Sequence, residues 1–153
     1  TVLGSLPKDA HHRRAWLALL RCFSRIERVL MQHIALPYNS SLPRYDVLTA
    51  LAFNPQGLTM GELATMLMVS KGNITGVVQR LKSDGLVKKV TSKQDRRIQS
   101  VTISAEGRRL WEAMHADYDR IISELLSGQS VAQVQTLTRA LQKTLDSVNA
   151  ISR

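Results

Sequence analysis

A chain of 153 residues, 44% of them apolar, is sized for one domain with a real core, and its single cysteine excludes an internal disulfide. With 21 Lys and Arg against 12 Asp and Glu the formal net charge is +9, a balance that favours polyanionic partners. No apolar run approaches the roughly 18 residues of a membrane helix and no signal peptide is visible, so no membrane contact is expected and a cytoplasmic location is.

In chain order, Pro7 suits an early helical position, and His11-His12 reads as a solvated helix start. Trp16, Leu19, Leu20, Phe23, Ile26, Leu30 and Ile34 then form a helical stripe until Pro37 interrupts it, which predicts a helix over 8–36. Cys22 on this helix is expected to be a small buried core residue. The alternative is a redox-responsive thiol, since Arg21 and Arg25 are close in sequence and a thiolate needs nearby cations.

A helix-turn-helix pattern follows. Thr59-Met60-Gly61-Glu62 places a hydroxyl and a carboxylate three residues apart, the spacing of a capping box, and Leu63, Met66 and Leu67 follow on one face. After a turn through Met68 and Val69, Ser70 can cap a second helix. Its Ile74, Val77, Val78 and Leu81 repeat with helical period, and Asp84-Gly85 ends it. With that face inward, Ser70, Lys71, Asn73, Thr75, Gln79 and Arg80 point outward: short polar groups, amides and cations suited to a DNA groove. Gly72 and Gly76 lie inside this helix at roughly 1 kcal/mol each relative to Ala. Either the bare face lets the backbone approach base edges closely, or tertiary packing tolerates the glycines.

Residues 86–91 and 98–103 are rich in β-branched residues, with a polar stretch carrying Lys93, Asp95, Arg96 and Arg97 between them, and they read as a two-stranded wing. Residues 71–103 hold eight Lys or Arg against two acids, whereas residues 104–153 balance six against six. The basicity is therefore a local footprint over the groove-facing helix and hairpin.

From about residue 42 to 107 the chain resembles the winged helix-turn-helix of the MarR family, the regulators named for multiple antibiotic resistance. The wing signature of that family, Asp-x-Arg followed by a hydrophobic residue with Thr or Ser, is matched by Asp95-Arg96-Arg97 leading to Ile103-Ser104. The resemblance implies that Asp95 braces the wing and that Arg97 enters the minor groove. The run from Leu67 to Gly76 is similar to the variant found in regulators of aromatic-compound breakdown.

Past the wing, Ser104 can cap a helix carrying Leu110, Trp111, Met114, Tyr118, Ile121, Ile122 and Leu125, ended by Ser127-Gly128. Ser130-Val131-Ala132-Gln133 is a further capping box, opening a helix with Val134, Leu137, Leu141, Leu145 and Val148 at coiled-coil spacing. A winged segment of about sixty residues closes one small core, so the terminal helices need a partner, and a symmetric homodimer supplies it. The expected fold is mainly α with a small β wing: one domain over 1–153, with a DNA-binding region at 42–104 flanked by dimerisation helices at 8–36 and 105–150. Paired reading heads fit a pseudo-palindromic operator in double-stranded DNA, and MarR proteins dimerise through their terminal helices.

Catalysis finds no support. His11, His12, His33 and His115 lack metal-ligand spacing, and neither a nucleophile elbow nor a phosphate-cradling glycine loop is present, so neither an enzyme nor a cofactor is expected. In MarR relatives a small, often aromatic and acidic effector sits between the dimer helices and the reading head. The matching region here offers Trp16, Phe23, Tyr38, Arg44, Tyr45, Trp111, Met114, His115 and Tyr118, with Arg44 available for a carboxylate. These are either pocket or plain core. Arg13, Arg14 and Arg21, with Arg25 and Arg28, either hold the phosphates of an aryl-coenzyme A thioester or form a solvated face. The sequence thus reads as a dimeric repressor released by an aromatic acid or its thioester. Its alternatives are a Cys22-based redox regulator of the same fold and a winged-helix module that places its basic hairpin on an acidic protein.

Overall fold

The computed structural model of the chain describes residues 10–91 and 99–151. Helix α1 (His11–Leu30) runs into a π turn (Met31–Ala35) and a 3-10 turn (Leu36–Tyr38). Then come α2 (Leu42–Ala52), β1 (Leu58–Thr59), α3 (Met60–Met66), α4 (Lys71–Ser83), β2 (Val87–Thr91), β3 (Gln99–Ile103), α5 (Ala105–Leu126) and α6 (Val131–Ile151). Two compact units divide this chain, Thr1–Tyr118 and Asp119–Arg153.

The core of the first unit is the winged helix-turn-helix. Leu48 and Leu51 of α2, Leu63 of α3 and Leu81 of α4 are wholly buried, with Ile74, Val78, Leu58 and Val101 completing one cluster. The α4 periodicity is obeyed: Ile74, Val78 and Leu81 are inside and Val77 packs at the edge. On α3 the expected face shifts. Met66 is 49% exposed and Ala64 is buried in its place, because an alanine lets a seven-residue helix pack close to its neighbours.

The wing has a third strand that the sequence did not announce. β3 is central, pairing antiparallel with β2 from Val87↔Ile103 to Thr91↔Gln99 and with β1 through Leu58↔Val101 and Thr59↔Ser100. A two-residue strand has no alternation to read, and Thr59 shows in the sequence only as a helix cap.

Two expectations for the first helix change. No residue of α1 is buried, and Cys22 is exposed, so the expected core position for that thiol is wrong: burial of α1's apolar stripe does not follow from its periodicity. The helical path also does not run evenly to Pro37. A π turn intervenes, and the extra residue per turn swings Ile34 and Ala35 into the interior while α1 stays outside.

In the second unit, the end of α5 leads through a turn to α6. Ser130 accepts from the Gln133 amide at 3.3 Å and Gln133 Oε1 accepts from the Ser130 amide at 2.8 Å, the reciprocal cap expected there. No residue of α6 is buried, and Leu137, Leu141, Leu145 and Val148 are 42–51% exposed along one stripe. Among the described residues no helix is long and apolar enough to cross a membrane, and no group of three His, Cys, Asp or Glu is disposed to hold a metal.

Candidate nucleic-acid interface

Local chemistry positions the two helices of the motif. The Thr59 amide donates to Glu62 Oε2 at 2.7 Å while the Glu62 amide donates to Thr59 Oγ1 at 3.2 Å, closing the capping box. The Thr59 amide first and its hydroxyl second hold the Glu62 carboxyl below its ordinary value. At α4, Ser70 Oγ accepts from the Asn73 amide at 3.3 Å. Between them Met68 takes a left-handed backbone (φ 53) with its side chain 85% exposed.

The face of α4 turned away from the core carries the polar and cationic groups that the helical period placed there. Lys71, Gly72, Asn73, Thr75, Gln79 and Arg80 are exposed, and Gly76 is half-buried. Thr75 donates its hydroxyl proton to the Lys71 carbonyl at 2.7 Å, which leaves the oxygen free to act as an acceptor. A Cβ at Gly72 would meet nothing nearer than Ser70 Oγ at 4.0 Å, and one at Gly76 nothing nearer than Arg80 Nη2 at 3.8 Å. Packing therefore does not require these glycines. Both line an open groove of about 380 Å³, with Pro43 and Asp46 of α2 and Asn73 and Arg80 of α4 among its other walls. Desolvation pushes the Asp46 carboxyl above its ordinary value. Lys93, Asp95, Arg96 and Arg97 lie outside the described residues, between the exposed ends of β2 and β3.

The end of α4 is fixed tightly. Asp84 is its C-cap and Gly85, at φ 72, turns the chain toward β2, a backbone that L side chains rarely adopt. The Ser104 hydroxyl donates to the Gly85 carbonyl at 2.7 Å and accepts from the Gly107 amide at 2.9 Å, so it caps α5 and clasps the turn at once. Gly107 lies against that turn so closely that a Cβ there would sit 2.0 Å from the Leu86 carbonyl oxygen.

The residues expected to hold an effector divide into two groups. Tyr45, Trp111, Met114, His115 and Tyr118 come together between α2 and α5, Tyr45 and Met114 being buried. The Tyr45 hydroxyl and His115 Nδ1 are 2.7 Å apart, Trp111 stacks on His115 at 4.7 Å, and Tyr118 stacks on Tyr45 at 5.3 Å. Tyr38 instead meets a different face of α5, donating to Asp117 Oδ2 at 2.9 Å beside the Ala113 carbonyl at 3.2 Å. Sequence reading missed two members: Phe53 meets Trp111 edge-on at 5.7 Å, and Thr49 Oγ1 accepts from the Trp111 indole at 3.1 Å. The signal was present, since 45, 49 and 53 share one helix face and 111, 115 and 118 share another. Trp16 and Phe23, by contrast, stand 56% and 62% exposed on α1, as do Arg13, Arg14 and Arg21, outside that cluster. Arg21, Ser24, Arg25 and Arg28 line a shallow depression of about 280 Å³ on α1. Arg44, expected to face a carboxylate of an effector, has a carboxylate of its own chain: its Nη2 lies 2.6 Å from Asp84 Oδ2.

The sequence profile of the MarR family matches residues 39–98, from the turn before α2 to the residue before β3. The HTH-type transcriptional repressor IacR of Pseudomonas putida is 31% identical over 129 residues, which cover 83% of this chain and 74% of IacR. The chain belongs to the MarR family. The transcriptional activatory protein BadR of Rhodopseudomonas palustris is 35% identical over 96 residues, 62% of this chain, and the match spans only 55% of BadR. A solved structure of BpsR from Bordetella bronchiseptica, whose DNA binding is regulated by 6-hydroxynicotinic acid, superposes with a TM-score of 0.75 at 23% identity. That superposition covers 86% of this chain and 98% of BpsR, and at that identity it speaks for the fold. Both of these relatives are transcriptional regulators.

Proposed function

We propose that this MarR-family chain is a homodimeric, sequence-specific DNA-binding regulator that represses transcription until an effector releases it. The observation that carries the reading is the outward face of α4: capped, cationic at Lys71 and Arg80, and bare at Gly72 and Gly76, where a base edge can reach the helix backbone. Asn73 reads a base edge, Ser70, Lys71, Thr75, Gln79 and Arg80 contact bases or phosphates around it, and Arg96 and Arg97 of the wing tip reach the adjacent minor groove. Lys93 adds phosphate contact and Asp95 braces the wing. The exposed stripes of α1 and α6 supply the dimer contact, and two heads engage a pseudo-palindromic site.

The effector is an aromatic acid or its coenzyme A thioester, acting on dimer geometry from the ring cluster around Tyr45, Trp111 and His115. Regulation of BpsR by 6-hydroxynicotinic acid supports the first class. Support for the second comes from the arginines of α1, whose depression suits phosphate groups.

Titration of the chain against duplexes enriched from a random-sequence pool tests the DNA-reading part. Asn73→Ala should relax discrimination at one base pair by roughly 1–3 kcal/mol, and Arg97→Ala should lower the magnitude of the salt slope by about 1. Absence of any saturable, sequence-dependent binding overturns the reading and leaves an acidic protein partner for the basic hairpin. A calorimetric screen of aromatic acids and their thioesters that finds no binder removes the effector.

A further inference from the structure

The first turn of α2 and the last turn of α4 are joined by one ion pair, Arg44 Nη2 to Asp84 Oδ2 at 2.6 Å. Neither charge suits its own helix. Arg44 is the third residue of α2, at the end where the helix dipole is positive, and Asp84 is the C-cap of α4, where it is negative. Each unfavourable charge is offset by the other across the gap between helices. Arg44 is also costly to keep: its side chain is only 19% exposed and its Nε is buried with no hydrogen-bond partner among the described residues. An apolar side chain of similar length would avoid that cost. A pair that contributes little to stability yet fixes two helices in one geometry has its value in position.

What it fixes is the root of α4. Directly after Asp84 the chain turns at Gly85, whose carbonyl is held by the Ser104 hydroxyl at 2.7 Å. The C-terminal end of α4 is thus tied to α2 by charge on one side and to α5 by a hydrogen bond on the other, and its groove-facing first turns project beyond both ties. We propose that Arg44 and Asp84 are positioning residues for DNA recognition, setting the tilt of α4 without touching DNA. This rests on the DNA-reading function proposed above.

The two charges provide the test. Arg44→Met removes a positive charge and Asp84→Asn removes a negative one, so attraction to phosphate alone predicts opposite effects on affinity, whereas loss of positioning predicts the same effect. Binding is measured to the best duplex enriched by the wild-type chain from a random-sequence pool and to a scrambled duplex, below the melting temperature of each variant. Each single variant should weaken binding to the enriched duplex roughly tenfold. Affinity for the scrambled duplex should instead follow charge, falling for Arg44→Met and rising for Asp84→Asn. The double variant Arg44→Asp/Asp84→Arg rebuilds the pair with both charges now favourable to their helices and should recover affinity to within about threefold of wild type. Should Arg44→Met fail to fold, Asp84→Asn, near-isosteric and half-exposed, decides alone. A wild-type chain that selects no duplex removes the DNA-reading function. If wild type selects one and the single variants bind it undiminished, or move in opposite directions as charge dictates, the positioning role is overturned.

Discussion

Replacing Gly107 by Ala is the sharpest single perturbation this fold offers. The added Cβ would lie 2.0 Å from the Leu86 carbonyl oxygen and 2.9 Å from its carbon, both backbone atoms that no rotamer change can move. An ordinary carbon–oxygen contact needs about 3.3 Å, so the first turn of α5 and the α4–β2 turn must separate by roughly 1.3 Å. The same Leu86 oxygen accepts from the Ser104 amide at 3.0 Å, and that bond is lost in the separation. One broken hydrogen bond with a partly buried acceptor costs roughly 1–2 kcal/mol and the overpacking about 1–3 kcal/mol, which together place the destabilisation near 3 kcal/mol. For a chain of this length that lowers the melting temperature by roughly 6–12 °C. Far-ultraviolet circular dichroism at one fixed protein concentration reads the change, since association makes the midpoint depend on concentration. Gly128→Ala is the control, because a Cβ there meets nothing within 4 Å. A Gly107→Ala midpoint within about 2 °C of wild type would refute the close approach.

Gly72→Ala and Gly76→Ala should act in two directions at once. Each adds a methyl in open space within a helix, so the free chain should gain roughly 0.4–1 kcal/mol while affinity for the selected duplex falls, and a gain in both would remove the close-approach role of the glycines. Leu141→Asp, on the exposed stripe of α6, should shift sedimentation at micromolar concentration from dimer to monomer; a wild-type chain that sediments as a monomer would take away the assembly.

What could be read from the sequence was whatever a local pattern encodes. The caps at Thr59, Ser70, Ser104 and Ser130 and the period of Ile74, Val78 and Leu81 are written within a few residues of where they act. Features that depend on distant partners were not legible. Gly107 looks like an ordinary first-turn glycine until the Leu86 carbonyl is placed beside it, and Arg44 looks free until Asp84 closes on it. β1 is too short to carry a period, and the π turn depends on how Ile34 and Ala35 must face. Cys22 and the stripe of α1 misled for another reason: an apolar pattern states that a face wants covering without stating by which molecule. The wing-tip residues, which carried the family resemblance most directly, fall outside the described residues.

The strand order β1-β3-β2 bears on how such a chain folds as it is made. The middle of the sheet is the last of its strands to be synthesised, so β1 and β2 each wait for β3 before either finds a hydrogen-bonded neighbour. Until β3 arrives, Leu58 lacks Val101 and Val87 lacks Ile103 as its cross-strand partner, and the apolar faces of α2, α3 and α4 form a core open on one side. Long-range closure of this kind is slow relative to helix formation and leaves an adhesive intermediate. A ribosome-stalled chain ending before β3 should therefore recruit chaperones, and one extended through α5 should release them.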